Sequence, residues 1–208
     1  MKTALIITGG EYSSLPDSLQ YDYVIACDKG YEYAVKLGIT PDIILGDFDS
    51  CELDVSTFPV KSQVLTYPVR KDDTDLMLAI KQAILDGYTH LIIACALGGR
   101  LDHTYANIQS MVYASEHGCK CELITSTEHL LILKDDSITL PKQDDTSLSV
   151  FSITDVSEGV TITGASYDVA DIKLTNTFPL GLGNSWASDN VTISVENGTL
   201  LIVRSSML

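Results

Sequence analysis

The sequence predicts an α/β domain built on a mostly parallel sheet with helices on both faces, followed by an all-β domain of sandwich or barrel type. Up to about residue 125, short apolar runs alternate with helical patterns. After about residue 126, stretches rich in Val, Ile and Thr alternate with turn residues, and no long helical pattern recurs. The length of 208 residues, 45% of them hydrophobic, suits one large domain or two small ones with a proper core.

The first run, Ala4–Thr8, reads as a strand that breaks at Gly9-Gly10. Tyr23–Cys27, Asp42–Leu45, Gln63–Tyr67, Leu91–Leu97 and Cys121–Thr125 repeat the pattern. Most are near-continuously apolar, as expected for strands covered on both faces. Residues Asp73 to Asp86 read as a helix, because Leu76, Ile80, Ala83 and Ile84 share one face and Gly87 stops the pattern. Residues Asp102 to His117 place Tyr105, Ile108 and Val112 at helical spacing and stop at Gly118. Beyond them Leu130–Leu133, Ser147–Ile153, Val160–Thr163, Val191–Val195 and Leu200–Val203 read as strands, with Glu158-Gly159 and Asn197-Gly198 as turns. The expected domains are a Rossmann-like α/β unit over residues 1–128 and a β-sandwich-like unit over 129–208.

Charge narrows the partners. The chain carries 13 basic and 28 acidic residues, a formal net of −15. That works against nucleic acid, whose binding rests on Lys and Arg at phosphates, and against anionic membrane surfaces. No stretch approaches the ~18 apolar residues of a membrane span, and the short run after Lys2 reads as a strand rather than a signal peptide. The odd count of five cysteines reads as buried free thiols in a reducing cytoplasm.

The acidic residues and glycines fall just after the predicted strands, where open α/β sheets bind ligands. Strand two runs into Asp28-Lys29-Gly30, and strand three into Gly46-Asp47-Phe48-Asp49-Ser50. In extended backbone Asp47 and Asp49 point to the same side and can share one hard cation such as Mg²⁺, while Phe48 points into the packing. Strand four leads to Arg70-Lys71-Asp72-Asp73-Thr74-Asp75. There Asp73 suits a helix cap, Arg70 or Lys71 suits a phosphate oxygen with Lys71 the favoured one, and Asp75 joins the carboxylates. Strand five runs into Gly98-Gly99-Arg100-Leu101-Asp102-His103. Its glycines and the following helix N-terminus suit an anion, and Arg100 offers a fork for phosphate oxygens. Asp102 is open to three roles: helix cap, second-metal ligand or substrate ligand. His90, His117 and His129 are scattered and carry no assigned role. No Walker A pattern is present, so the phosphate site is built differently from a P-loop.

Three motifs then converge on one family. Pro41-Asp42-Ile43-Ile44-Leu45-Gly46-Asp47-Phe48-Asp49-Ser50 resembles the "PDxIxGDFDS" signature of thiamine pyrophosphokinases. Lys71-Asp72-Asp73-Thr74-Asp75 resembles their "KDxTD", and Gly98-Gly99-Arg100-Leu101-Asp102-His103 with Asn107 resembles their "GGRxDHxxxN". The resemblance spans essentially the whole chain. It implies transfer of the ATP β,γ-pyrophosphoryl unit to the thiamine hydroxyl with release of AMP, a Mg²⁺ requirement, and a homodimer with thiamine between the α/β domain of one subunit and the β-domain of the other. The family pattern carries over to Asp28, Asp47, Asp49, Thr74, Asp75, Arg100 and Asp102 as the polar site. The expected metal ligands are Asp47, Asp49 and Asp75, joined in catalysis by Arg100 and Asp102, while Asp28, Gly30, Lys71, Thr74, Gly98 and Gly99 are expected to serve the nucleotide. Leu180-Gly181-Leu182-Gly183-Asn184-Ser185-Trp186 resembles the thiamine-contacting stretch, which places Asn184, Ser185 and Trp186 at the substrate. The chain departs from the family where relatives read "ADGG", "GLKYPL" and "SNE".

Overall fold

The computed structural model describes residues 1–48, 58–68 and 70–207. Asp49, Ser50 and Cys51 lie outside the described residues. The chain divides into two compact units, Met1–Ser126 and Thr127–Leu208.

The first unit contains strands β1 (Thr3–Ile7), β2 (Tyr23–Cys27), β3 (Ile43–Gly46), β4 (Gln63–Thr66), β5 (His90–Ala94) and β6 (Lys120–Ile124). Its helices are α1 (Gly30–Lys36), α2 (Asp75–Leu85) and α3 (Leu101–Glu116). The strands run in the order β4-β3-β2-β1-β5-β6, and each pairing is parallel. The chain builds outward from β1 to β4, then returns to the other side of β1. Leu5, Ile6, Ile7, Ile25, Ile43, Ile44, Leu45, Leu91 and Ile93 are wholly buried. Each such side chain contributes about 1.5–3 kcal/mol relative to exposure, so the strand centres anchor the loops at their carboxyl ends.

Helix α2 buries Leu76, Ile80 and Ala83 of the predicted face together with Ala79, while Ile84, also expected there, is only half-buried. Its cap is Thr74 rather than Asp73. Thr74 has extended backbone, and its hydroxyl accepts the Met77 N–H at 3.1 Å. Asp73 instead pairs with Lys81 at 2.7 Å. Helix α1 was not visible in the sequence pattern, since its seven residues span barely two turns.

The second unit contains β7 (Glu128–Lys134), β8 (Ser137–Pro141), β9 (Thr146–Ser152), β10 (Val156–Thr163), β11 (Val169–Thr175), β12 (Asn190–Ser194) and β13 (Thr199–Ser206). Strand β13 pairs antiparallel with β7 and β9. The others form an antiparallel sheet ordered β11-β10-β12-β8. One core joins the two sets: Leu133, Leu148, Val150, Leu200 and Ile202 from the first meet Leu140, Val160, Ile162, Leu174, Val191 and Ile193 from the second. Glu158-Gly159 is not a turn. It lies inside β10, where the register shifts between Ser157 and Val160 and Gly159 takes a φ of 65°. An extra residue in one strand is absorbed there as a bulge.

Among the described residues, no helix is long and apolar enough to cross a membrane. Cys27, Cys95, Cys119 and Cys121 are buried free thiols. Burial pushes each thiol above its ordinary range, which makes them poor nucleophiles.

Candidate active site

The site is assembled at the carboxyl ends of β2 and β3 and at the start of α2. Asp28 follows β2 with a left-handed φ of 45°, a conformation Asp tolerates better than most residues. Its N–H donates to the Leu45 carbonyl at 2.9 Å, and its Oδ1 accepts the Phe48 N–H at 3.0 Å. Asp47 lies between Gly46 and Phe48 in this turn. Phe48 takes a left-handed φ of 60°, so the backbone here departs from the extended run expected across Asp47 and Asp49; its ring still turns into the packing, 5.4 Å from the Phe58 ring centroid.

Lys71 reaches into the same place. Its ammonium lies 2.6 Å from Asp75 Oδ1 and 3.6 Å from Asp47 Oδ2, with its side chain only 13% exposed. Burial alone would lower the Lys71 pKa. The Asp75 hydrogen bond and the charges of Asp75, Asp47 and Asp28 outweigh it and hold the amine above its ordinary range. Asp75 also acts on the Asp28 carboxyl. Burial first, then the Asp75 hydrogen bond and the charges of Asp75 and Asp47, push Asp28 up to about 7, against the lowering effect of the Phe48 N–H. Asp47 and Asp75 therefore share one cation already, and Asp28 adds a third carboxyl at the same point. Asp49 lies outside the described residues. Among those described, no group of three or more His, Cys, Asp or Glu side chains is arranged to hold a metal ion. The oxygen donor set of Asp47, Asp75 and Asp28 around a buried positive charge fits a hard divalent cation in kind.

The loop after β5 carries the second group. Gly98 and Gly99 take φ values of 85° and 67°, which turn the chain into α3. Arg100 and Asp102 engage each other in a two-point pair, Nε to Oδ1 at 3.1 Å and Nη2 to Oδ2 at 2.5 Å. Both are largely exposed, and Arg100 holds the Asp102 carboxyl below its usual range. Asp102 also accepts the His103 N–H at 3.0 Å. Asn107 donates to the Ala96 carbonyl at 2.7 Å and so braces the loop. The sequence pattern did not single out Glu11. Its carboxylate accepts the Gly99 N–H at 3.1 Å, and a lone Glu after Gly9-Gly10 gives no signal of that. Gly30 opens α1 against β1: a Cβ there would sit 2.1 Å from the Ile7 carbonyl oxygen, so close packing explains this glycine.

In the second unit the Asn184 side chain is engaged by backbone. Its Oδ1 accepts the N–H groups of Tyr167 at 3.0 Å and Ser185 at 2.9 Å, and its Nδ2 donates to the Tyr167 carbonyl at 2.9 Å. Ser185 shares a hydroxyl hydrogen bond with Ser166 at 2.7 Å. Trp186 bridges Ala165 through its backbone, and its buried indole Nε1 has no hydrogen-bond partner among the described residues.

Comparison with known proteins gives a consistent result. The family model described as "Thiamin pyrophosphokinase, catalytic domain" matches residues 18–123. The thiamine pyrophosphokinase of Bacillus subtilis (strain 168) is 28% identical, over 99% of this chain and 100% of its own length. Among solved structures, the Bacillus subtilis thiamine pyrophosphokinase superposes with a TM-score of 0.87 at 26% identity, covering 100% of both chains. Thiamin pyrophosphokinase from Geobacillus thermodenitrificans gives 0.83 at 24% identity, over 98% of this chain and 97% of its own. The yeast thiamin pyrophosphokinase gives 0.76 at 15% identity, over 99% of this chain and 87% of its own, a likeness of fold alone.

Proposed function

Because the chain belongs to the thiamin pyrophosphokinase family, we propose that it transfers the β,γ-pyrophosphoryl group of ATP to the hydroxyl of thiamine, giving thiamine diphosphate and AMP. The observation that carries the mechanism is the meeting of Asp47, Lys71 and Asp75 beside Asp28. Phosphoryl-type transfer asks the protein mainly to position groups and to stabilise charge, and these residues supply both signs of charge in a poorly solvated place.

Asp47, Asp75 and Asp49 would hold Mg²⁺, with Asp28 alongside. When bound, the metal would supply Lewis-acid stabilisation of the negative charge that develops in the transfer. Lys71, already held between two carboxylates, remains an ammonium at neutral pH and faces the transferring group. Arg100 offers two parallel N–H donors to phosphate once it exchanges Asp102 for substrate. The Gly98–Gly99 turn sits beside the start of α3, where an anion is favoured, and a phosphate oxygen there would take the place of the Glu11 carboxylate on the Gly99 N–H. Thr74 fixes the first turn of α2 and thereby the direction of Asp75. A loose transition state asks little of a general base, so no single Asp is assigned that role.

By the family resemblance, thiamine would lie against Asn184–Trp186, in a homodimer whose site is shared between subunits. A reducing, cytoplasmic setting agrees with the four free cysteines among the described residues.

The test is to incubate the purified protein with Mg²⁺, ATP and thiamine and to identify the products. AMP and thiamine diphosphate in equal amounts are expected. ADP with thiamine monophosphate would keep the substrates and overturn attack at the β-phosphorus. Nucleotide binding without turnover would make the protein a sensor on this scaffold.

A further inference from the structure

We propose that Asp28 is a positioning residue: its carboxyl locks the turn from Gly46 to Phe48 and so aims Asp47 at Lys71 and Asp75. The resemblance placed Asp28 among the nucleotide-binding groups, and its contacts describe a different task.

The first contact is steric. A Cβ built on Gly46 would fall 1.7 Å from Asp28 Oδ1 and 2.5 Å from its Cγ. The carboxyl therefore lies directly over bare backbone, in space that only glycine leaves free. The second contact is a hydrogen bond from the Phe48 N–H to the same Oδ1, at 3.0 Å. One oxygen thus holds the residue before Asp47 by close packing and the residue after it by a hydrogen bond. Phe48 takes a left-handed φ of 60°, which a non-glycine residue keeps only when its surroundings hold it there.

The backbone of Asp28 is itself fixed. Its N–H donates to Leu45 at 2.9 Å, and its carbonyl accepts the Tyr31 N–H at 3.0 Å as α1 begins. The charge of Asp75, the first residue of α2, also acts on this carboxyl. A single side chain therefore joins the end of β2 to the turn after β3. Asp47 reaches Lys71 from that turn and Asp75 from the start of α2. Their alignment depends on the joint, and a displacement of about 1 Å at such a site costs on the order of 100-fold in rate.

This inference rests on reading Asp47, Lys71 and Asp75 as the pyrophosphoryl-transfer site. Two substitutions separate positioning from direct ligation. Asp28→Gly removes the carboxyl without straining the left-handed backbone. Asp28→Asn keeps an acceptor for the Phe48 N–H and offers an amide donor to Asp75. AMP formation should fall about 100-fold in Asp28→Gly, and Asp28→Asn should recover at least about tenfold of that loss. An Asp28→Asn variant no more active than Asp28→Gly would make the negative charge itself the requirement and overturn the proposal. Wild-type activity in Asp28→Gly would do the same. A second readout needs no turnover: amide exchange at Phe48, followed by NMR in the substrate-free protein. The Phe48 N–H should be protected in the wild type and in Asp28→Asn and exposed in Asp28→Gly. An unprotected Phe48 in the wild type would end the proposal. If the wild type formed no AMP from ATP and thiamine, the functional reading would fail while the exchange experiment still judged the joint.

Discussion

The Lys71 ammonium lies 2.6 Å from the Asp75 carboxylate, an i,i+4 pair that straddles the start of α2. Lys71 precedes the helix and Asp75 opens it, so the pair ties the incoming loop to the first turn. Asp47 joins from the neighbouring strand end at 3.6 Å. Removing the Asp75 charge should therefore disable the site without unfolding the sheet, whose core lies in the strands. Asp75→Asn should lower turnover by about 100-fold or more while the far-UV spectrum stays native. Near-normal turnover in a folded variant would take Asp75 out of the site.

Asp28 gives the apoprotein a pH dependence. Its carboxyl is raised from 3.8 to about 7 in the folded chain, chiefly by burial and by Asp75. The folded state therefore binds this proton more tightly than the unfolded state. The stability tied to the proton is fully present below the unfolded value and is lost as pH rises through about 7. Thermal midpoints measured in a chelator should fall between pH 5 and pH 8 by more in the wild type than in Asp28→Asn, whose amide does not titrate. Equal falls in the two proteins would assign the dependence to other groups.

Arg100 and Asp102 are exposed and face each other, so they contribute little to the fold. Arg100→Lys keeps the charge and loses the planar fork. The KM for ATP should rise about tenfold with the thermal midpoint unchanged, because a point charge cannot make two parallel bonds to phosphate. An unchanged KM would leave Arg100 as a surface partner of Asp102 alone.

Gly30 tests a packing explanation for a motif glycine. A methyl group there meets the Ile7 carbonyl at 2.1 Å, and neither α1 nor β1 has room to yield. Gly30→Ala should cost about 1–3 kcal/mol in urea unfolding. A change in ATP affinity at full stability would instead return Gly30 to the nucleotide.

Asn184 satisfies two backbone N–H groups and one carbonyl across the 167 and 185 segments. Asn184→Ala should lower stability by about 1–2 kcal/mol, since the partly buried backbone groups lose their partner. A midpoint shift within error would show that the loop holds itself and would favour a direct substrate role for the side chain.

Much of this molecule is determined by sequence alone, for local reasons. Tyr23–Cys27 is apolar throughout and becomes β2 without revision. Leu76, Ile80 and Ala83 recur at helical spacing and become the buried face of α2. The acidic and glycine residues follow the strands directly, so any parallel sheet would gather them on one edge. Tertiary structure decided the rest. Strands β8 and β11 escaped notice because both are edges of their sheet, half exposed and without a sustained apolar pattern. Glu158-Gly159 reads locally as a turn, yet β11 and β12 pair on either side of β10 and hold it as a bulge. The fit of Asp28 over Gly46 joins the ends of two neighbouring strands. Lys71 meets Asp47 only because parallel pairing of β3 and β4 brings their following loops together. Spacing along a chain encodes which face a side chain takes on its own element. Distances between elements arise only when the sheet has paired.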